Sequence, residues 1–232
     1  SKLGDKLLSL CSGTVFACEE ALKKGFSYHL GGGLHHAHRD AGAGFCLAND
    51  IVIAIRSLQA RALIRTAWVI DVDAHKGDGT AALTRGDSSI LTLSIHMAKG
   101  WPLDTPAVFD DGRPNPAHVP SDIDIGIEVG QEDIYLPRLM LGLQALRKMS
   151  SQNPDLVVVV NGSDPSDLDV LPSASLLKLN LEQMLTRDIM VYDWLKTLDL
   201  PQAYVMAGGY GPEVWRVHSR FIKHVLRERL KV

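Results

Sequence analysis

Four side chains able to bind a metal or move a proton, Asp71, Asp73, His75 and Asp78, fall within eight consecutive positions. Asp73 and His75 are two residues apart, so an extended chain turns both to the same side. A carboxylate and an imidazole on one face can hold a divalent metal and leave a coordination position for water or substrate. Gly77 and Gly79 let the backbone turn tightly around such a site. The cluster directly follows Ala67-Trp-Val-Ile70, a short uncharged run that reads as a buried strand of a parallel sheet. Open α/β sheets place their ligands at the carboxyl ends of strands.

Three other loops carry polar side chains behind apolar runs. A glycine-dense stretch, residues 31–46, holds His35 and His36. A second acidic cluster, Asp164 to Asp169, follows the run at 155–160, and Gly208-Gly-Tyr210 follows the run at 203–206. In a parallel sheet these ends share one edge and can converge. Asp73, His75 and one aspartate of the later cluster would then hold a metal that lowers the pKa of bound water and polarises a carbonyl. A neighbouring histidine could take the water's proton and pass it to a leaving amine. A tyrosine hydroxyl in a glycine frame could donate to the developing oxyanion. The combination points to metal-assisted hydrolysis of an amide-like bond. Singly, the residues say less. His35 and His36 alone read as loop histidines, Cys46 as a packing residue, and Phe45 and Trp101 as core. Ser163-Asp164-Pro165 reads as a turn, and His38, His118, His218 and His224 as surface or local structure.

The elements that must position these residues alternate along the chain. Strands are expected at residues 26–30, 67–70, 90–95, 122–129, 155–160 and 203–206. Helices are expected at 7–24, 49–60, from 80 onward, at 131–148, 175–197 and 214–230. Alternation of this kind predicts an α/β fold with a mainly parallel sheet and helices on both faces. Residues 99–120 carry five of the eleven prolines, and a loop of that length points to a functional segment near the site.

The 232 residues suit one large domain or two small ones, and no repeat or linker divides them. Mean hydropathy is near zero, and no apolar window reaches the length of a membrane span. The start, Ser1-Lys-Leu-Gly-Asp-Lys6, is followed by no signal-peptide core, so a cytoplasmic protein is expected. The net charge of −3, with acids and bases interspersed, gives no footprint for nucleic acid. The three cysteines, Cys11, Cys18 and Cys46, show no pairing pattern and are expected to be reduced and buried.

Taken in order, Gly33-Leu-His-His-Ala37, Gly44-Phe-Cys46, Asn49-Asp50, Asp71-Val-Asp-Ala-His75, Gly77-Asp-Gly79, Gly162-Ser-Asp164 with Asp169, and Gly208-Gly-Tyr210 resemble the histone deacetylase family. That family includes the acetoin-utilisation and acetylpolyamine deacetylase branches. The resemblance runs through nearly the whole chain. It implies an arginase/deacetylase-like three-layer fold and a zinc-dependent deacetylase with one Zn2+ per chain. It implies Asp73, His75 and Asp169 as the zinc ligands, Asp169 being preferred to Asp164 for its spacing beyond the Gly-x-Asp. His36 would be the general base, partnered by Asp78, and His35 the second histidine, partnered by Asp71. Tyr210 would polarise the carbonyl. Phe45 and Trp101 would wall the acyl-lysine tunnel, with Gly44 and Gly208 also against the substrate. A structural K+ is implied near Asp71, Asp73, His75, Ser94 and Ile95. The substrate would be an acylated lysine or an acylated polyamine.

Two departures bear on these expectations. Lys76 stands where the family commonly has a second histidine, which could alter the field near Asp78. The family also carries a segment before the first helix found here, with an opening strand and a rim loop bearing an acidic residue that grips the substrate backbone. The expectation is therefore one catalytic domain, residues 1–232, truncated on its amino-terminal side, with weakened substrate affinity. Two other readings stand beside it: a two-metal ureohydrolase of the arginase type, and an inactive metal-bound binding or scaffold domain.

Overall fold

A computed structural model describes residues 2–230. Six strands form one sheet: β1 (Phe26–His29), β2 (Ala67–Asp71), β3 (Ile90–Met97), β4 (Ile123–Ile127), β5 (Leu156–Asn161) and β6 (Gln202–Met206). Their order is β1-β6-β5-β2-β3-β4, and every pairing is parallel. The helices are α1 (Lys2–Lys24), α2 (Asp50–Ala60), α3 (Asp78–Thr84), α4 (Tyr135–Met149), α5 (Leu181–Thr197) and α6 (Trp215–Leu230).

Both faces of the sheet are buried, which explains the near-absence of charge in its central strands. Side chains alternate along a strand, so Trp68 and Ile70 of β2 join one core while Ala67 and Val69 join another. The first core is closed by Leu139 and Leu143 of α4, Val191 and Leu195 of α5, and Phe221 of α6. The second is closed by Cys18 and Ala21 of α1 and by Ile51, Ile55 and Leu58 of α2. Val157 and Val159 of β5 face the first core, and Val158 and Val160 the second. The result is a three-layer α/β fold with helices on both faces, as the alternating pattern predicts.

Strand order reverses beside β2, since β3 and β4 lie to one side of it and β5 to the other. Such a switch point opens a crevice at the carboxyl edge of the sheet. Asp71 stands level with Ser94 on β3 and Val160 on β5, and Asn161 with Met206. The loops after β2, β5 and β6 therefore leave the sheet side by side.

Three helices start four or more residues from the sequence expectation, and the first of them, α1, already begins at Lys2 instead of residue 7. α5 begins at Leu181, not near 175, because Asn180 caps it: its side chain accepts from Glu182 N and Gln183 N, and Gln183 returns a bond to the Asn180 backbone. The preceding residues pair instead with the loop after β5, through a bridge of Ser166 to Leu179. The helix expected from 131 opens as a 3-10 turn, Glu132–Ile134, before α4. The long proline-rich loop is knitted together by Asn115, whose amide donates to Thr105 Oγ1 and to the Pro106 carbonyl at 3.1 and 2.8 Å. Cys18 and Cys46 are buried and Cys11 is half-buried, all three as free thiols. No described helix is long and apolar enough to cross a membrane.

Candidate active site

β2 ends in Asp71, and its loop leads directly into α3, which starts at Asp78. This short path brings Asp71, Asp73, His75 and Asp78 into one buried cluster. His75 Nδ1 lies 3.2 Å from Asp73 Oδ1 and 3.0 Å from Asp164 Oδ2. A tetrahedral ion with bonds of about 2.0–2.1 Å holds its donors roughly 3.3 Å apart, so these three side chains are spaced as a ligand set. Their donor atoms all lie within 4.8 Å of one another.

The third member is Asp164, not Asp169. The loop after β5 turns at once, with Ser166 N donating to the Ser163 carbonyl at 3.1 Å. Asp164, three residues beyond the strand, stays beside β2, where its Oδ1 accepts from Ala74 N at 3.0 Å. Asp169 has passed the turn. Its carboxylate accepts from Leu171 N at 2.8 Å and from Tyr210 N at 2.7 Å. The structure thus groups Asp164, in place of the expected Asp169, with Asp73 and His75, while Asp169 accepts from the backbone N–H of the tyrosine.

Glycines shape the cradle around the carboxylates. A Cβ on Gly162 would fall 2.3 Å from Asp73 Oδ2, and one on Gly208 would fall 2.5 Å from Asp164 Oδ2. Gly208 N also donates to Asp73 Oδ2 at 3.0 Å. Charge in the cluster is tightly balanced. Burial works against the Asp73 carboxylate, but His35 and His75 outweigh it and hold it well below the usual range. Burial and the neighbouring Asp73 charge push Asp164 up to about 7. Burial opposes a charge on His75 too, yet Asp164 and Asp73 push it up to about 10. A proton or a metal ion must sit between that imidazole and those carboxylates. His75 Nε2 meets Ser173 Oγ at 3.3 Å, and such outer hydrogen bonds orient a ligating imidazole.

The two adjacent histidines each have a carboxylate. His35 Nδ1 donates to Asp71 Oδ2 at 2.7 Å, and His36 Nδ1 donates to Asp78 Oδ1 at 2.6 Å. An ionised carboxylate can only accept, so Nδ1 carries a proton in both rings, and in a neutral ring Nε2 is then the basic atom. Burial lowers the His36 pKa, helped by the charge of His35 and opposed by Asp78, down to about 4. Burial also disfavours charge on His35, but Asp71 and Asp73 outweigh it and raise the ring to about 9. His36 is therefore the neutral member of the pair. The loop that carries both is anchored by Asp50, which accepts from Gly33 N and Leu34 N at 3.1 and 2.6 Å.

A cavity of about 300 Å3 opens above this cluster, walled by His36, Phe45, His75, Trp101, Leu171 and Tyr210. Trp101 is half-buried, its ring 4.4 Å from that of His36 and 5.8 Å from that of His75. Phe45 is 80% exposed at the mouth, with the Tyr210 ring 5.8 Å away. It adopts φ of 65° after Gly44 at φ of 50°. A side chain on Gly44 would strike Trp101 and His36, so this turn requires glycine. The Tyr210 hydroxyl keeps its proton: burial and the charges of Asp73 and Asp164 push its pKa upward.

Lys76 does not reach Asp78. Its buried ammonium donates to Asp124 on β4 at 2.8 Å. Of the residues expected around a monovalent cation, Asp71 and Ser94 are level in the sheet. The Ile95 side chain lies in the core, which leaves only its backbone for a ligand. His38, expected to be merely local, shares Asp78 with His36. Leu171 and Ser173 also belong to the site, although nothing in their own spacing marks them.

A histone deacetylase domain model matches residues 1–227. The chain is 31% identical over 97% of its length to an uncharacterised protein of Picosynechococcus, covering 68% of that protein. It is 29% identical to histone deacetylase 2 of Arabidopsis thaliana and 33% identical to the acetoin utilization protein AcuC of Staphylococcus aureus, covering 53% and 49% of them. It thus spans about half the length of these two curated relatives. Among solved structures, an acetylpolyamine aminohydrolase from Burkholderia pseudomallei superposes with a TM-score of 0.70 at 25% identity, over 92% of this chain and 60% of that one. A histone deacetylase homologue from Aquifex aeolicus shares the fold, with a TM-score of 0.68 at 22% identity over 90% of this chain and 55% of that one. The three-layer fold and the family model agree, and the chain belongs to the histone deacetylase family.

Proposed function

We propose that this chain hydrolyses an N-acetyl amide on a lysine side chain or a polyamine, with one zinc ion held by Asp73, His75 and Asp164. The observation that carries the reading is the spacing of these three donors beside a neutral histidine whose Nδ1 is fixed by a carboxylate. Two carboxylates and one imidazole suit zinc with an open position. When bound there, the ion lowers the pKa of a water and polarises the substrate carbonyl.

The chain's own groups account for the rest. Phe45 and Trp101 take the alkyl arm of the acylated amine between them and exclude water from it. His36 Nε2 accepts the proton of the attacking water and returns it to the amine nitrogen as the C–N bond breaks. Asp78 keeps the imidazole in the tautomer this needs, as the carboxylate does in a serine-protease triad. The Tyr210 hydroxyl donates to the carbonyl oxygen as negative charge develops there. Asp169 sets the position of that tyrosine through its backbone N–H. A K+ ion at Asp71, Asp73, His75, Ser94 and Ile95 would be structural, held partly by backbone carbonyls.

A second donor group, His35, His36 and Asp73, keeps a two-metal ureohydrolase in view. It is disfavoured because both histidines already donate from Nδ1 to aspartates that would otherwise be free to bridge two ions. The deciding assay is amine release from an acetyl-lysine peptide and from an N-acetylpolyamine by zinc-loaded protein. Tyr210→Phe is expected to lower kcat about 100- to 1,000-fold, the range for loss of one oxyanion donor, and His36→Ala at least as much. Turnover unchanged in both variants would overturn the reading.

A further inference from the structure

The Asp78 carboxylate has two imidazole partners, not one. Oδ1 accepts from His36 Nδ1 at 2.6 Å, and Oδ2 accepts from His38 Nε2 at 3.0 Å. His38 stands in the wall of a separate open cavity of about 830 Å3, behind Trp101, which Asp78, Phe109 and Arg113 also line. Its position is set locally, because its own N–H donates to the Ala41 carbonyl at 2.9 Å and closes a tight turn. Its Nδ1 is buried with no hydrogen-bond partner among the described residues. Among the described residues, the only polar contact of this imidazole is therefore the carboxylate behind the base.

We propose that His38 is a positioning residue for His36: its Nε2–H occupies the second oxygen of Asp78, so the carboxylate stays ionised and keeps its first oxygen turned to His36 Nδ1. This rests on His36 being the base of the proposed hydrolysis.

The physical reason is the burial of Asp78, which is only 1% exposed. A buried carboxylate oxygen without a donor is costly, and the group responds by rotating or by taking up a proton. Either response removes the acceptor that holds His36 in its productive tautomer. With both donors in place the outcome differs. Burial raises the Asp78 pKa, but the bonds from His36 and His38 outweigh it and hold the group at about 2. His38 touches neither substrate nor metal ligand in this arrangement and acts only through Asp78.

The test compares wild type, His38→Ala and His38→Gln. Gln can still donate an N–H to Asp78, while Ala cannot. The first readout is the proton NMR signal of the short His36–Asp78 hydrogen bond, downfield of the amide region, which needs no turnover. His38→Ala should broaden or abolish it, and His38→Gln should retain it. The second readout is steady-state deacetylation: His38→Ala should lower kcat about 10- to 50-fold with KM within about three-fold of wild type, and His38→Gln should recover most of kcat. If wild type shows no turnover, the catalytic reading fails while the NMR comparison still decides the role of His38. A downfield signal that His38→Ala leaves sharp, or a loss that His38→Gln shares equally, would overturn the proposal. Should the Ala variant fold poorly, His38→Leu serves in its place with the same two readouts.

Discussion

Asp164 and Asp169 lie five residues apart on one loop and serve different partners. Asp164 presents its oxygens to His75 and Ala74, and Asp169 presents its oxygens to the backbone of Leu171 and Tyr210. Asp164→Ala is therefore expected to weaken zinc binding more than about 100-fold, beyond the 10- to 100-fold typical of an outer-shell loss. Asp169→Ala should keep zinc and lower kcat about 10- to 100-fold, because Tyr210 loses its anchor. Zinc content measured with turnover on both variants separates the roles, and zinc lost from Asp169→Ala but not from Asp164→Ala would reverse the assignment. The sequence shows both aspartates equally well. What it hides is the turn from Ser163 to Ser166, which decides which of them remains beside β2. His38 was hidden for a similar reason: its partner lies forty residues on, at the start of α3. His75, by contrast, was legible because it sits two residues from Asp73, directly behind a run that reads as a buried strand.

The loops after β5 and β6 cradle the carboxylates with glycine, and that makes these elements brittle. Gly208→Ala would put a methyl 2.5 Å from Asp164 Oδ2 and 2.7 Å from Asp73 Oδ2. The carboxylates must move, so zinc affinity should fall at least about 10-fold, by analogy with other disturbances of ligand orientation. Isothermal titration with zinc would show it, and affinity equal to wild type would mean the loop yields instead. On the other side of the sheet edge, α6 docks through His218, whose Nδ1–H donates to the Tyr28 hydroxyl at 2.8 Å, which in turn donates to Asn161. Burial, with help from Arg187, lowers the His218 pKa to about 4. The unfolded chain binds this proton at higher pH than the folded chain does. Its contribution is therefore complete above the ordinary histidine range and is lost as pH falls from about 6.5 toward about 4. The loss is about 2–3 kcal/mol at one shifted histidine of this kind. Urea unfolding across that window should show His218→Gln with a shallower decline than wild type, and parallel slopes would contradict the role. The strands and most helices were readable because burial on two faces leaves a run of Val, Ile and Leu. The start of α5 was not, since residues 175–180 have helical composition but pair with the loop after β5 through Leu179.

The whole chain is a parallel sheet whose switch point beside β2 gathers three loops at one edge. Each loop contributes what its neighbours lack: the β2 loop supplies Asp73 and His75, the β5 loop Asp164, and the β6 loop Tyr210 and the Gly208 N–H. The 31–46 loop lies across them with His36 and Phe45. The convergence of these loops was legible from alternation alone, because parallel strands end on a common edge. Their pairing inside the cluster was not, since it depends on distances between loops far apart in sequence. The proposed single catalytic zinc at Asp73, His75 and Asp164 can be tested by a zinc titration of chelator-treated protein followed by acetyl-lysine peptide hydrolysis. Activity should rise linearly, break at about one zinc per chain as a single three-ligand site requires, and stay absent in Asp164→Ala. A break at two metals per chain, or stoichiometric zinc binding with no hydrolysis of the acetyl amide, would rule out a single-zinc deacetylase.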